Sequence, residues 1–219
     1  MPEQIQRLID GPDNPKATLV LAHGAGAGMD SPFMTEMAAG LGERRWRVVR
    51  FNFPYMVRSA LSGRKAAPDR LPTLLAAFHQ EIAATSAAGP LLIGGKSMGG
   101  RVASLMLDQA AMDQRVSGCI CLGYPFHPPG QPEKLRTEHL LHLNIPCLIL
   151  QGERDSFGRR EEVEGYGLPA SVQLHWLKAG DHSFKPTKAS GVTLQDNLTS
   201  ALDRIDAFLD QLTDSTSIA

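Results

Sequence analysis

The sequence contains few cysteines and carries almost no net charge. Only three of its 219 residues are cysteine, and an odd number argues against a disulfide framework. Cys119, Cys121 and Cys147 lie in apolar runs without the spacing of metal ligands, so we predict reduced core residues, no metal site and no cofactor. The net charge of −1 gives no electrostatic reason to expect a nucleic acid or a membrane as the main partner. A small-molecule enzyme fits better.

The sequence also lacks a long apolar run. No stretch approaches the ~18 apolar residues of a membrane span. Met1–Gly11 is polar and acidic, whereas a secretory signal is basic and then apolar, so we expect a cytoplasmic protein. No repeat, low-complexity segment or linker divides the chain. We therefore predict one domain over residues 1–219, with a core at about 17–212 and a flexible tail at 214–219.

Short apolar runs alternate with helical patterns along the chain. This alternation is typical of a mostly parallel, doubly wound α/β sheet with helices on both faces. The predicted strands are Thr18–Ala22, Arg47–Phe51, Leu91–Gly94, Val116–Leu122, Cys147–Leu150 and Val172–Leu177, with a further candidate near Ile5–Ile9. The predicted helices begin at Pro32, near Leu71, after Gly100 and near Leu198, and a short helical stretch is expected within Pro132–Leu143.

Ser97 lies where a strand must turn sharply into a helix. The surrounding sequence is Gly95-Lys96-Ser97-Met98-Gly99, directly after an apolar run. Glycine two residues before and two after the serine avoids a Cβ clash in such a tight turn. The pattern is typical of a nucleophile elbow, although alone it is weak, and a serine in a glycine-rich connection is the alternative.

A serine nucleophile needs a base, and the base needs an oriented carboxylate. His182 follows the last predicted strand, and Asp155 follows the fifth. The carboxyl ends of parallel strands are where open α/β sheets place their ligands. The chain order Ser97, Asp155, His182 is the one that α/β-hydrolases use. Glu153 is a rival for the acid.

Two backbone N–H groups are expected to hold the oxyanion of a tetrahedral intermediate. One is that of Met98, which follows the nucleophile at the start of its helix. The other should come from His23–Gly28, where Ala25 is favoured and Gly26 is second. Nucleotide binding by this glycine-rich run is disfavoured, because no helix starts at once and Asn52, rather than an acid, ends the next strand.

Residues near the predicted strand ends are candidates for contact with a substrate. The candidates are Gly26, Tyr55, Lys96 and Phe126. An aromatic residue in such a loop packs in the core just as often as it contacts a substrate. Lys96 also belongs to a group of cations that could attract an anionic substrate, and a solvated charged face is the alternative. The other members of this group are Arg58, Arg64, Lys65 and Arg101.

Together these motifs resemble the small α/β-hydrolase-like proteins related to dienelactone hydrolases. They look closest to the branch whose animal members include a subunit of the non-specific lethal chromatin acetyltransferase complex. The resemblance spans about Ala17 to Leu212. It is carried by the segments Gly95–Arg101, His23–Gly26, Ser31–Met34, Arg50–Tyr55, Gly123–Pro125 and Gly180–Phe184.

The resemblance implies an α/β-hydrolase fold with a sheet of about seven or eight strands and no large lid domain. It also implies hydrolysis of a carboxylic ester or thioester of a small molecule through Ser97, Asp155 and His182. Dienelactone hydrolases proper carry a cysteine nucleophile, so the serine argues against their lactone chemistry. Some members of the branch serve as scaffolds, and a hydrolase-shaped binding module is therefore the alternative function.

Overall fold

Seven strands form one sheet in the computed structural model, which describes residues 7–112 and 116–216. The strand order is β1-β3-β2-β4-β5-β6-β7. β1 pairs antiparallel with β3, and every other neighbouring pair is parallel. The strands are β1 Arg7–Asp10, β2 Ala17–Ala22, β3 Trp46–Phe51, β4 Leu91–Lys96, β5 Gly118–Leu122, β6 Cys147–Gly152 and β7 Val172–Leu177.

Helices cover both faces of this sheet. They are α1 Pro32–Glu43, α2 Pro54–Ser62, α3 Leu71–Ala84, α4 Met98–Met112, α5 Arg160–Val163 and α6 Leu194–Thr216. α1 and α6 bury their apolar stripes on one face, and α3 and α4 do so on the other. Successive side chains of β2 alternate between the two resulting cores, as the twofold period of a strand requires: Leu19 and Leu21 enter one core, and Val20 and Ala22 enter the other.

The predicted mostly parallel, doubly wound sheet of about seven or eight strands is confirmed, with seven strands among the described residues. All six main predicted strands are present, with ends shifted by up to two residues. The further candidate near Ile5–Ile9 corresponds to β1, and its first two residues lie outside the described ones. Among the described residues, none of the helices has both the length and the apolar character needed to cross a membrane.

Two predictions about helices need correction, and the helices α2 and α5 are additions to the predicted set. The stretch expected within Pro132–Leu143 is only a single 3₁₀ turn, Glu138–His142, because the Arg136 N–H donates to the Phe126 carbonyl at 2.8 Å instead of to a helical partner. The helix α2 was not predicted at all. α6 continues through Thr216, so the first residues of the expected tail are helical, and residues 217–219 lie outside the described part.

The connections at the carboxyl edge of the sheet position the candidate site. The strands from β2 through β4, β5 and β6 to β7 are parallel to one another, so the loops that follow them open on the same edge. No lid domain interrupts the link from β5 to β6, whose described secondary structure is the one 3₁₀ turn. The edge above Ser97 is therefore left open.

Candidate active site

The turn from β4 into α4 gives Ser97 a left-handed backbone. Its φ is 51°, a conformation that typically costs about 1–3 kcal/mol for a residue with a side chain. The Ser97 N–H donates to the Leu122 carbonyl at 3.0 Å. A Cβ on Gly95 would lie 2.5 Å from the carbonyl carbon of Gly99, and one on Gly99 would lie 2.6 Å from the Ala22 oxygen. Only glycine fits at these two positions, as the elbow motif predicts.

The structure brings the three predicted catalytic side chains together. The Ser97 Oγ lies 2.8 Å from Nε2 of His182, and Nδ1 of His182 lies 2.7 Å from Oδ2 of Asp155. Because a carboxylate can only accept here, Nδ1 carries the proton and donates to Asp155. Nε2 is then free to accept the proton of the Ser97 hydroxyl, which is the arrangement that a general base requires.

Asp155 is held by a set of donors that the sequence analysis did not identify. Its side chain is fully buried. Nε2 of Gln151 donates to Oδ2 at 2.9 Å, and the Phe157 N–H donates to Oδ1 at 2.9 Å. Gln151 is fixed in turn because its Oε1 accepts the Tyr124 N–H at 2.7 Å. These bonds offset the desolvation of the carboxylate and fix its direction.

Two residues near the predicted catalytic side chains were missed, and only Gln151 leaves a weak trace in the sequence. It is a polar residue directly after the apolar run Cys147–Leu150 and lies within β6, where only a specific hydrogen-bond role makes burial acceptable. The Phe157 ring lies 4.3 Å from the His182 ring at an interplanar angle of 32°, and nothing in its local sequence marks this contact.

The rival acid Glu153 does not approach His182. Its carboxylate pairs with Arg160 at 3.0 Å and accepts the Ala179 N–H at 2.8 Å. The Asp181 carboxylate accepts backbone N–H groups two and four residues further on. Among the described carboxylates, Asp155 is therefore the one that bonds to the imidazole.

Of the two predicted oxyanion donors, Met98 directly follows Ser97, and Ala25 lines the pocket beside it. Among the described residues, no acceptor bonds to the N–H of Met98 or of Ala25. The loop that carries Ala25 is fixed by His23, whose Nε2 accepts the Phe53 N–H at 3.0 Å, while Nδ1 donates to the Gly24 carbonyl at 2.7 Å. Burial lowers the pKa of His23, which keeps the ring in the neutral form that these two bonds need.

Tyr55, a predicted substrate contact, lies behind this loop. It is fully buried, and its hydroxyl is 3.2 Å from the Gly24 carbonyl and 3.0 Å from the Ala25 carbonyl. Burial also raises the pKa of Tyr55, so the hydroxyl stays a donor. The structure therefore places Tyr55 as a support of the predicted oxyanion loop and not as a pocket wall, because helix α2 turns its side chain inward.

Phe126, the other aromatic candidate, is fully buried as well. Its ring packs against Tyr124 at 4.8 Å and Tyr166 at 5.8 Å. Phe126 is therefore a packing residue of the core, which was the alternative that the sequence left open. By contrast, Gly26 and Lys96 do line the pocket beside Ser97.

A pocket of about 510 Å³ opens beside Ser97 and His182. Most of its wall is apolar, and α1 and the Ala25 loop supply much of it. The lining residues besides Ser97, His182, Gly26 and Lys96 are Gly24, Ala25, Ala27, Ser31, Pro32, Phe33, Met34, Phe157 and Ser183. Such a volume suits a small organic molecule, with few polar groups to set its orientation.

Lys96 is the member of the predicted cation group that lines this pocket. Only 8% of the surface of Lys96 is exposed, and its Nζ donates to the His182 carbonyl at 2.6 Å. Burial lowers the pKa of Lys96 to about 8, against the opposing effect of Asp155 and Asp181. Arg58 instead pairs with Asp69 at 2.6 Å. Arg58, Arg64, Lys65 and Arg101 are not among the residues that line this pocket, so the five cations do not converge on it.

The three cysteines converge in the core, contrary to their spacing in the sequence. Their Sγ atoms all lie within 4.8 Å of one another, because Cys119 and Cys121 share a face of β5 and Cys147 is the register partner of Cys119 on β6. All three are fully buried free thiols, and burial raises the pKa of Cys119. The spacing of the cysteines along the sequence does not reveal this cluster, because it takes no account of which strands pair in the sheet.

The order of the sheet and the sharp turn at Ser97 define an α/β protein of the hydrolase type. Residues 15–210 match the family model described as an alpha/beta hydrolase domain. The chain belongs to this family.

Solved structures from several microorganisms share the fold. An alpha-beta serine hydrolase homologue from Coxiella burnetii is 20% identical, with a TM-score of 0.62, 90% of this chain covered and 88% of that one. A dienelactone hydrolase from Anabaena variabilis is 17% identical, with a TM-score of 0.64 and coverages of 90% and 88%. A Pyrococcus furiosus esterase is 14% identical, with a TM-score of 0.64 and coverages of 95% and 91%. At these identities the likeness concerns the fold alone.

Proposed function

We propose that this protein is a serine hydrolase that cleaves a carboxylic ester or thioester of a small molecule. The observation that carries the proposal is the continuous hydrogen-bond sequence from Ser97 through His182 to the buried Asp155, located at the wall of an open apolar pocket. The family, and the similarity of the fold to that of an esterase, support hydrolysis of small molecules. The relation to the chromatin-complex branch and the cytoplasmic location stay predictions.

The reaction proceeds in two steps that share one base. His182 takes the Ser97 proton through Nε2 while Oγ attacks the acyl carbon, and the oxyanion accepts the N–H groups of Met98 and Ala25. Each such donor is worth ~3 kcal/mol in related sites. His182 then protonates the departing alcohol or thiol, which leaves an acyl ester on Ser97.

Water completes the cycle from the open pocket. His182 removes a proton from water, the hydroxide oxygen attacks the acyl carbon, and the proton returns to the Ser97 Oγ as the carboxylic acid leaves. Asp155 keeps the imidazole in the required tautomer and offsets its positive charge during both steps. His182 therefore makes every proton transfer, and it already bonds to Ser97 on one side and to Asp155 on the other.

A panel of p-nitrophenyl esters and acyl thioesters of increasing chain length tests this function. We expect the wild-type protein to hydrolyse at least one series, with a preference set by the apolar pocket, and Ser97→Ala to be inactive. Ser117→Ala is the matched control, because Ser117 is exposed next to the amino end of β5. Equal hydrolysis by wild type and Ser97→Ala would contradict the role of Ser97, and no hydrolysis of any compound would favour the scaffold alternative.

A further inference from the structure

Lys96 connects the strand of the nucleophile to the backbone of the base. It is the last residue of β4 and directly precedes Ser97. Its Nζ reaches across to the carbonyl of His182 at 2.6 Å. Among the described residues, no other donor bonds to this carbonyl. The side chain of Lys96 therefore joins the backbones of the two segments that must meet for proton transfer.

The surroundings of the Lys96 ammonium leave it little freedom. A Cβ on Gly123, whose φ is +67°, would lie 2.9 Å from Nζ and 2.8 Å from the His182 oxygen. On another side, the Phe33 ring centroid is 5.5 Å from Nζ. A glycine after β5 thus leaves room for this bond, and an aromatic ring of α1 stabilises the cation that makes it.

The charged groups around Lys96 come from two loops. Asp155 belongs to the loop after β6, and Asp181 and His182 belong to the loop after β7. α1 and the end of β5 contribute only the neutral Phe33 and Gly123. Both carboxylates have backbone or side-chain donors of their own. The ammonium is therefore held by the His182 carbonyl and not by a salt bridge.

We propose that Lys96 is a positioning residue, whose protonated side chain holds the backbone of His182 so that the imidazole stays within hydrogen-bond distance of Ser97. The loop that carries His182 has left-handed residues on both sides, Ala179 at φ 51° and Phe184 at φ 68°, and among the described residues the Lys96 ammonium is the one donor to its His182 carbonyl. The inference depends on the proposed function for its effect on catalysis, but not for its effect on the position of His182.

The bond depends on the charge of Lys96. Since burial lowers the pKa of Lys96 to about 8, the side chain is an ammonium below that pH and an amine above it. A charge-assisted hydrogen bond becomes a weaker neutral one as the pH rises. We therefore expect the rate to fall on the alkaline side with a midpoint near 8, because the His182 segment is held less firmly.

Lys96→Met tests the proposal while keeping most of the apolar packing of the side chain. On a neutral ester we expect kcat to fall roughly 10- to 100-fold at pH 7, since a small displacement of a reacting group has effects of this size. We expect KM to change less than about twofold and the alkaline fall to disappear. The control is Lys185→Met, which removes the same charge from an exposed position on the same loop and should leave kcat and the pH profile unchanged.

Two kinetic results would overturn the proposal. If Lys96→Met raised only KM, and only for anionic substrates, Lys96 would be a substrate contact. If the variant kept the wild-type kcat and the same fall in rate at alkaline pH, the bond to His182 would have no positioning role. Lys96→Gln, which is polar and neutral, provides a second test should the methionine variant unfold, and it should lose the alkaline limb as well.

A measurement without turnover separates this inference from the proposed function. In proton NMR of the wild-type protein, the Nδ1–H of His182, bonded to Asp155, should give a low-field resonance that shifts or broadens with a midpoint near pH 8. That transition should be absent in Lys96→Met, even if the protein hydrolyses nothing. A resonance with the same pH dependence in both proteins would contradict the role of Lys96 whether or not the enzyme is active.

Discussion

The two sides of Ser97 are built in different ways. On the proposed oxyanion side, the donors are backbone N–H groups, and two neutral buried side chains, His23 and Tyr55, bond to the backbone of their loop. On the proposed base side, the reacting groups are side chains, and the ionisable side chains of Asp155 and Lys96 bond to His182. A substitution leaves the backbone N–H groups of the oxyanion side in place and can affect them only through the side chains that hold their loop. On the base side, a substitution replaces the reacting side chain itself.

The difference follows from what each side must do. Oxyanion donors keep their protons throughout the reaction, so neutral hydrogen bonds are enough to fix them. The base gains and loses a proton in each step, so it needs a nearby negative charge to stabilise the imidazolium. Variants on the base side should therefore change the pH profile, and variants on the oxyanion side should change the rate alone.

The largest effect is expected from removing the reacting groups of the base side. Ser97→Ala and His182→Ala should each lower kcat by a factor on the order of 10⁶, because such residues act as one unit. Steady-state hydrolysis of the best panel ester measures this, with circular dichroism to confirm the fold. Retention of most of the activity in either variant would refute the assigned roles.

A smaller loss is expected when only the charge behind the imidazole is removed. Asp155→Asn should lower kcat by ~10⁴, because the amide favours the wrong tautomer of His182. The loss should shrink as the pH rises, if hydroxide can partly replace the base. Glu153→Gln, which changes the rival acid, is the matched control, and a larger loss in this control would reverse the assignment of the acid.

The support of Asp155 should have an intermediate effect. Gln151→Met removes the donor to Oδ2 and the partner of the Tyr124 N–H, and unsatisfied buried groups of this kind typically destabilise by ~1–3 kcal/mol. We expect a lower melting temperature together with a kcat reduced by roughly tenfold to a hundredfold. A variant with normal kcat and reduced stability would show that Gln151 serves the fold alone.

The smallest effect should come from the oxyanion side. Tyr55→Phe removes one hydroxyl that bonds to the Gly24 and Ala25 carbonyls, and a typical hydrogen bond contributes about 1 kcal/mol. We expect kcat to fall about fivefold to tenfold with the shape of the pH profile unchanged. A changed pH profile in Tyr55→Phe would remove the distinction between the two sides.

The sequence was sufficient for the parts of the site that depend on local patterns. The turn at Ser97 admits only glycine two residues before and two residues after the serine, and the sequence has glycine at both positions. The predicted strand ends place Asp155 and His182 at one edge of a parallel sheet. The contacts between these side chains agree with that reading. Their catalytic roles stay predictions until the variants are measured.

The parts that the sequence could not supply depend on side-chain direction and on pairing between distant segments. Tyr55 follows a strand end, as a pocket wall would, but the unpredicted helix α2 directs it behind the loop. Gln151 and Phe157 act through contacts that no spacing encodes. The three thiols meet only because β5 and β6 pair in one register. Each of these features arises from the packing of elements and not from the elements themselves.

Labelling with a fluorophosphonate probe tests the central claim most directly, because the probe reacts with a serine only when a base activates it. We predict one covalent adduct on the folded wild-type protein, located at Ser97 by mass spectrometry, absent in Ser97→Ala and formed far more slowly in His182→Ala. Folded wild-type protein that acquires no adduct, or acquires it at another residue, would contradict the account.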